Sequence, residues 1–313
     1  MIAFGPVPSR RLGLSLGINN IVSRKACTYS CIYCQIGQTK NRQVKRETFY
    51  EPEYLIRNVK EHLDKLDLKH QPDFLTFVAN GEPTLDINLG DEIKLLQDTF
   101  LMPVAIISNA SLMGDEKVQN ELMHADWVSL KVDSVEPDTW EKMNRPHPDI
   151  HLDKILKGIE RFAENYKERL HTETMLVYGV NDHQSSLEAT SAFIAKLNVE
   201  TAYLSIPTRP PAEKAVKAIT PENIAKTWQI FNEKSINTEN ITGFEGTNTG
   251  FTGNAYEDIL NITAVHPLRD DTLNELLEKE NAGMDVIESL MIQRYLKKNH
   301  YNGHDYYVRN YNL

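Results

Sequence analysis

The sequence predicts an α/β fold in which parallel strands alternate with helices, followed by a smaller unit at the C-terminal end. Three observations predict it. Between residues 14 and 206 short apolar runs alternate six times with segments of helical period, a rhythm that requires parallel pairing through right-handed crossovers. The rhythm stops at Pro210-Pro211. Near the end, two helical segments are followed by runs that fold back across Asn302-Gly303, a favoured hairpin turn. Six strands are two short of a complete eight-fold barrel, so the alternation by itself fits a partial barrel and a doubly wound sheet equally.

Residues 4–12 are rich in Pro and Gly and are expected to form an ordered lead-in without regular structure. Residues 14–21 alternate as a first strand. Leu55, Val59, Leu63 and Leu66 recur at helical spacing within 51–68, which predicts an amphipathic helix. Strands are then expected at 74–79, 103–108, 127–132, 171–178 and 202–206. Helices are expected at 91–100, 115–124, 137–144, 153–167 and 185–197. Beyond them, 221–231 reads as a helix, and 243–253 as a Gly-rich linker or lid that lacks the GK[ST] ending and preceding strand of a phosphate loop. The expected organisation is 1–211 for the barrel, 212–260 for a connecting helix and Gly-rich segment, and 261–313 for a small domain resembling a winged helix.

Composition bounds the function. A chain of 313 residues with 41% hydrophobic and 25% charged residues is an ordinary globular protein. No basic-then-apolar leader and no run of about 18 apolar residues is evident, so no membrane association and a cytoplasmic location are expected. The net charge of -10 argues against bulk attraction to nucleic acid. The exceptions are local: Arg10 and Arg11, and the run Lys40, Arg42, Lys45, Arg46, for which a solvated loop face is the plainer reading. From residue 268 acidic side chains outnumber basic ones, which favours protein contact or packing on the barrel over nucleic-acid docking.

Cys27, Cys31 and Cys34 are the only cysteines in the chain. Three thiolates within eight residues can converge on one metal centre, and thiolate suits zinc or an iron-sulfur cluster. A structural zinc normally takes four closed ligands, so the zinc alternative needs a distant His. An odd, tight cluster fits a metal better than a disulfide framework. A four-iron cluster on three protein thiolates would leave one iron free.

The spacing of three residues and then two, with Tyr33 before the last cysteine, resembles the signature of the radical S-adenosylmethionine (SAM) superfamily. The resemblance implies a [4Fe-4S] cluster on Cys27, Cys31 and Cys34, with SAM on the fourth iron. It also implies reductive cleavage of SAM to a 5'-deoxyadenosyl radical that abstracts hydrogen from a substrate. The implied core is a partial (β/α)6 TIM-like barrel, which tips the choice of fold. Asn80-Gly81-Glu82-Pro83-Thr84, one strand later, resembles the family's Gly-Glu-Pro motif for the SAM amino group. Ser108 and Asn109 follow strand three, where the family often contacts the ribose or methionine portion.

Ser129, Lys131 and Asp133 alternate on strand four and share one side of it. Lys131 is a candidate partner for the SAM carboxylate, and an internal ion pair with Asp133 is the alternative. Tyr33, Gly81, Glu82, Pro83, Ser108, Asn109 and Lys131 are thus the expected cofactor-binding residues. Asp182 is expected to cap the next helix, with Asn181 left open. Arg209, between prolines at the barrel mouth, is a candidate clamp for an anionic substrate group, with Arg10 and Arg11 on the same rim.

Pro8-Ser-Arg-Arg-Leu-Gly13 and Thr208-Arg-Pro-Pro211 extend the resemblance to the Fe-S oxidoreductase group related to wyosine synthetases. The absence of further cysteines departs from the tRNA-modifying members, whose second cluster and pyruvate condensation do not carry over. The expected partners are a one-electron donor such as flavodoxin or ferredoxin and an unidentified substrate: an RNA base, a peptide or a metabolite. The contrasting expectation is a non-catalytic Fe-S or zinc sensor with nucleic-acid binding through the C-terminal domain.

Overall fold

The computed structural model describes residues 2–21 and 25–310. Its main sheet has eight strands: β1 (Ala3–Ser9), β2 (Gly13–Ile18), β3 (Phe74–Phe77), β4 (Val104–Ser108), β5 (Trp127–Lys131), β6 (Arg169–Met175), β7 (Thr201–Ser205) and β8 (Thr238–Asn240). They lie side by side in chain order. The steps from β2 to β8 are all parallel, whereas β1 runs antiparallel to β2. A doubly wound sheet reverses its strand order at a switch point, and this one does not. The architecture is that of a partial barrel.

The crossovers are α1 (Pro52–Leu63), α2 (Leu89–Phe100), α3 (Glu116–Leu122), α4 (Pro137–Asn144) with α5 (Leu152–Asn165), α6 (Gln184–Ile194) and α7 (Pro221–Asn232). Period-2 alternation assigns the two faces of the sheet. Leu16, Leu75, Ile106, Val128 and Leu204 are buried in one core with Val59, Ile93, Leu122, Ile159 and Ile194 from the helices. The intervening positions carry the polar residues Ser15, Thr76, Ser129, Lys131, Glu173 and Ser205. Most of these bond across strands, as in the 2.7 Å contact of the Ser15 and Thr76 hydroxyls and the bonds of Lys131 and Ser205 to Glu173. At the base of this face Trp127 stacks on His171 with ring centroids 4.6 Å apart, and Tyr203 follows at 5.5 Å from His171.

Two strands depart from expectation. The lead-in is a strand after all: β1 pairs along β2 with an irregularity between Phe4 and Val7. Pro6 and Pro8 lack an N–H, and an edge strand with a broken register tolerates that. Residues 238–240 add β8 from within the expected connection.

The C-terminal region contains α8 (Ala255–Thr263), β9 (Leu268–Arg269), α9 (Asp270–Lys279), α10 (Asp285–Ile292), β10 (Leu296–Tyr301) and β11 (His304–Arg309). Its sheet has the order β10-β11-β9. Asn302 and Gly303 both have positive φ, 50° and 82°, as a two-residue hairpin turn requires. α8 begins inside the expected Gly-rich connection, where Asn254 Oδ1 accepts from Glu257 N–H at 3.3 Å and starts it. Ile259, Leu273, Leu276, Leu290 and Leu296 form a second core, and Phe4 of β1 belongs to it. No helix among the described residues is long and apolar enough to cross a membrane.

Candidate active site at the barrel mouth

The cysteine loop leaves β2 and is fastened to the turn after β3. Ala26 N–H donates to Asn80 O at 3.1 Å, and Glu82 N–H donates to Ala26 O at 2.9 Å. Gly81 has φ 141°, and a Cβ there would lie 1.6 Å from the Ala26 carbonyl oxygen. Only glycine fits. On its other flank the loop is held by α4, where Ser30 N–H and Ile32 N–H donate to Asn144 O and Met143 O at 3.0 and 2.9 Å.

Each cysteine sulfur has its own N–H donor. Asn109 Nδ2 lies 3.4 Å from Cys27 Sγ, Asn144 Nδ2 3.4 Å from Cys31 Sγ, and Lys25 Nζ 3.1 Å from Cys34 Sγ. Burial, with Cys31 adding to it, pushes the Cys27 thiol up to about 12; burial and Cys34 push Cys31 up to about 11. The neighbouring cysteines in turn hold the Lys25 ammonium above its ordinary value against the cost of burial. Cys27 and Cys31 therefore keep their protons at neutral pH, and a metal must displace them. Among the described residues no three His, Cys, Asp or Glu side chains are already gathered at ion-holding geometry. The donor set nevertheless fits sulfide-rich, anionic iron-sulfur chemistry, because N–H groups aimed at sulfur stabilise and tune it.

The expected cofactor residues are brought to the same edge, and several are engaged with one another. Glu82 is buried and accepts from Asn109 N–H at 2.7 Å, Ser108 Oγ at 2.8 Å and Thr84 Oγ1 at 2.7 Å. Burial raises its pKa against those bonds. It ties the β3 and β4 ends together, so Glu82 and Ser108 act as positioning residues. Pro83 opens the short turn that follows.

Lys131 has the internal partner that the alternative foresaw, and a stronger one besides. Its Nζ is 3.8 Å from Asp133 Oδ1 but 3.1 Å from Glu173 Oε1, on the neighbouring strand. It also lies 4.9 Å from the Tyr33 ring centroid, and the Tyr33 hydroxyl donates to Asp133. Asn144 Nδ2 donates to the same carboxylate at 2.8 Å. Arg11 reaches Glu173 from the lead-in and passes over the rings of Trp127 and Tyr203. Burial alone would raise the Glu173 pKa, but Lys131 and Arg11 hold it well below the carboxylate range. Tyr29, Asn109, Lys131, Asp133 and Asn144 border a space of about 10 Å³, room for one water.

The other arginines are paired as well. Arg209 binds Glu245, Gln35 Oε1 at 2.8 Å and His266 Nε2 at 3.2 Å. Arg10 bonds the carbonyls of Ile241 and Gly243 and stands 3.9 Å from Glu245. Despite burial, His266 and the two arginines hold the Glu245 pKa well below its ordinary range. In the basic run, Arg46 binds Glu121 and two carbonyls, and Arg42 binds the carbonyls of Arg145 and Pro146. Arg46 is therefore internal bracing, whereas Lys40, Arg42 and Lys45 lie on an exposed loop face, as expected. Asp182 accepts from Gly179 N–H at 2.8 Å and does not cap α6; Asn181 Nδ2 bridges the carbonyls of Asp133 and Met175, both at 2.9 Å.

Sequence reasoning missed Glu173, Asn144, Glu245 and His266. One signal was available for Glu173, the only carboxylate in β6, in register with Lys131 of β5.

A glycine-locked cysteine loop beside a Gly-Glu-Pro turn, at the C-terminal edge of a partial barrel, defines a class of enzyme. Residues 21–189 match the radical SAM superfamily, and the chain belongs to it. It is 47% identical over 311 residues to the UPF0026 protein MJ1312 of Methanocaldococcus jannaschii, covering 99% of this chain and 96% of that one. Among solved structures it is similar in fold to a radical SAM methyltransferase from Sphaerobacter thermophilus (TM-score 0.53, 14% identity, 73% of this chain and 66% of that one). Streptococcus suis SuiB bound to S-adenosylmethionine is similar too (TM-score 0.53, 10% identity, 72% of this chain and 49% of that one). The chain is a radical SAM enzyme, and its cofactors are those of the superfamily, a [4Fe-4S] cluster and SAM.

Proposed function

We propose that the protein binds one [4Fe-4S] cluster through Cys27, Cys31 and Cys34 and uses it to cleave SAM reductively. When bound, the pair supplies a 5'-deoxyadenosyl radical for hydrogen abstraction, with one electron drawn from an external donor such as flavodoxin or ferredoxin. The carrying observation is the set of three sulfurs, each met by an N–H donor from a different segment: Lys25, Asn109 and Asn144. Gly81 and the backbone of the Gly-Glu-Pro turn hold the approach for the SAM amino group. Glu82 and Ser108 fix that turn, and Asn109 orients Cys27.

Lys131, backed by Glu173 and Asp133, is positioned to meet the SAM carboxylate by exchanging one partner for another. Tyr33 sets the Asp133 side of this arrangement. The substrate is an RNA base, a peptide or a metabolite, and the single-cluster chain has no cysteines for a second cluster.

We read the helix, strand, two helices and hairpin of the C-terminal region as winged-helix-like. The exposed side chains on and beside α10 include Met284, Met291 and Ile292, and its first turn holds Asp285 and Glu288. Such a surface suits protein contact better than a duplex, so the sensor reading gains nothing from it.

Anaerobic reconstitution tests the proposal. The wild-type protein should bind close to four irons and form 5'-deoxyadenosine from SAM under strong reduction, and Cys31→Ala should do neither. A fully loaded four-iron protein that makes no 5'-deoxyadenosine would refute it.

A further inference from the structure

Resting on that reading, we infer that the cavity between the ends of β7 and β8 and the C-terminal region is the substrate compartment. We further infer that it takes a small oxyanion-bearing metabolite. The cavity measures about 210 Å³, against about 10 Å³ at the Lys131 site. Small-ligand sites are concave, with a few convergent polar groups against apolar walls. Here the convergent groups are Arg209, Arg269, His266 and His304, with Glu245 among them and Phe244 as an apolar wall. Arg269 is paired with Asp271 and His304 with Asp270, so Arg209 is the guanidinium through which an anion would be held.

The charge arrangement points to an anion. Glu245 is shared by two guanidiniums, Arg10 and Arg209, and by His266. Arg10 is spent on the carbonyls of Ile241 and Gly243, which fixes the segment that carries Phe244 and Glu245. Arg209 lines the cavity, preset by Glu245 and Gln35. A preset guanidinium matches a carboxylate or phosphate through paired hydrogen bonds. Arg269 lies 3.3 Å over the Phe244 ring and presents a flat cationic-aromatic surface beside it.

Position ties the cavity to the chemistry. Gln35, which accepts from Arg209 at 2.8 Å, directly follows Cys34. Its own amide donates to Val265 O at 2.9 Å, next to His266. A ligand on Arg209 is therefore one side chain away from the cluster loop. Walls drawn from the 206–209, 242–245, 266–272 and 302–306 segments enclose a volume suited to a free metabolite.

The test is calorimetry on the anaerobic, cluster-loaded, SAM-bound protein with guanosine 5'-monophosphate, citrate and guanosine as probes. At least one oxyanion probe should bind, and guanosine should not. Binding of the monophosphate alone assigns a phosphate, and of citrate alone a carboxylate. Arg209→Gln should weaken binding at least tenfold, and Arg209→Lys should restore part of it. Because Arg209→Gln strips a partner from Glu245, Phe244→Ala, at a 42% exposed position, serves as a second probe and should weaken binding severalfold with an unchanged melting temperature. Binding of neither oxyanion, or binding that both Arg209→Gln and Phe244→Ala leave intact, would overturn the inference. Uncoupled 5'-deoxyadenosine formation, assayed in the same preparations, separates this failure from failure of the proposed function.

Discussion

Arg10 and Arg11 are adjacent in the lead-in, yet they serve regions of opposite character. Arg11 joins Lys131, Glu173 and Asp133 in a group with two cations and two anions, and its Lys131 and Asp133 border a space with room for one water. Arg10 joins Arg209, His266 and Glu245 beside a cavity twenty times larger, where two guanidiniums share one carboxylate. A balanced, tightly packed network takes an incoming anion only by exchanging a partner for it, because breaking one member without replacement strands a charge in low dielectric. An unbalanced network beside open volume can accept one more anion. The difference separates a braced site that exchanges partners from an open one that adds a ligand, although both are built from ion pairs of largely buried side chains.

The sharpest way to break the braced side is Gly81→Ala. Its Cβ would overlap the Ala26 carbonyl, and φ 141° excludes other residues. A loss above about 4 kcal/mol is expected, visible as aggregation or a collapsed melting transition. Glu173→Gln comes next. It leaves Lys131 and Arg11 facing a neutral amide, with an expected cost of about 3–5 kcal/mol by chemical denaturation.

The pH dependence of that variant sharpens the point. Lys131 and Arg11 depress the folded-state pKa of Glu173 below its ordinary 4.5, so the stabilisation is complete above that value and is lost as pH falls beneath it. Wild type and Glu173→Gln should differ by a constant amount above about pH 5.5 and converge on acidification. A constant gap down to pH 2 would show that charge is not the cause.

On the open side Glu245→Gln should cost less, about 1–3 kcal/mol, since Gln35 and His266 still contact Arg209. Equal losses for Glu173→Gln and Glu245→Gln in denaturant melts would erase the contrast. The smallest effect is expected for Glu213→Gln, which removes an exposed pair with Arg145 and should leave the melting temperature unchanged.

Much of this was legible in the chain. The βα rhythm survives because buried strands and amphipathic helices have different periods, and the order of elements from β2 to β7 follows it. The cysteine loop and the Gly-Glu-Pro turn are local motifs, so their adjacency needed only the parallel topology. What stayed hidden was short, polar or distant. β8 is Thr-Glu-Asn, with no apolar pattern to betray it. β1 carries two prolines that normally argue against a strand. The helix α8 begins two residues past the last glycine of a Gly-rich segment.

The ion-pair partners were the least visible. Arg11 finds Glu173 across 162 positions, and Arg209 finds His266 across 57. No local spacing encodes such pairs, and they emerge only when the barrel closes them.

β1 has a consequence for the protein's solubility. An open barrel has two free sheet edges, and free edges recruit strands from other molecules. Here one edge is three residues of Thr-Glu-Asn, too short and too polar to template much pairing. The other is broken by Pro6 and Pro8 and sits under α8, with Phe4 buried in the neighbouring core. The C-terminal region thus guards the barrel against self-association, whatever else it binds, and trimming it away would uncover Phe4 and a strand edge together.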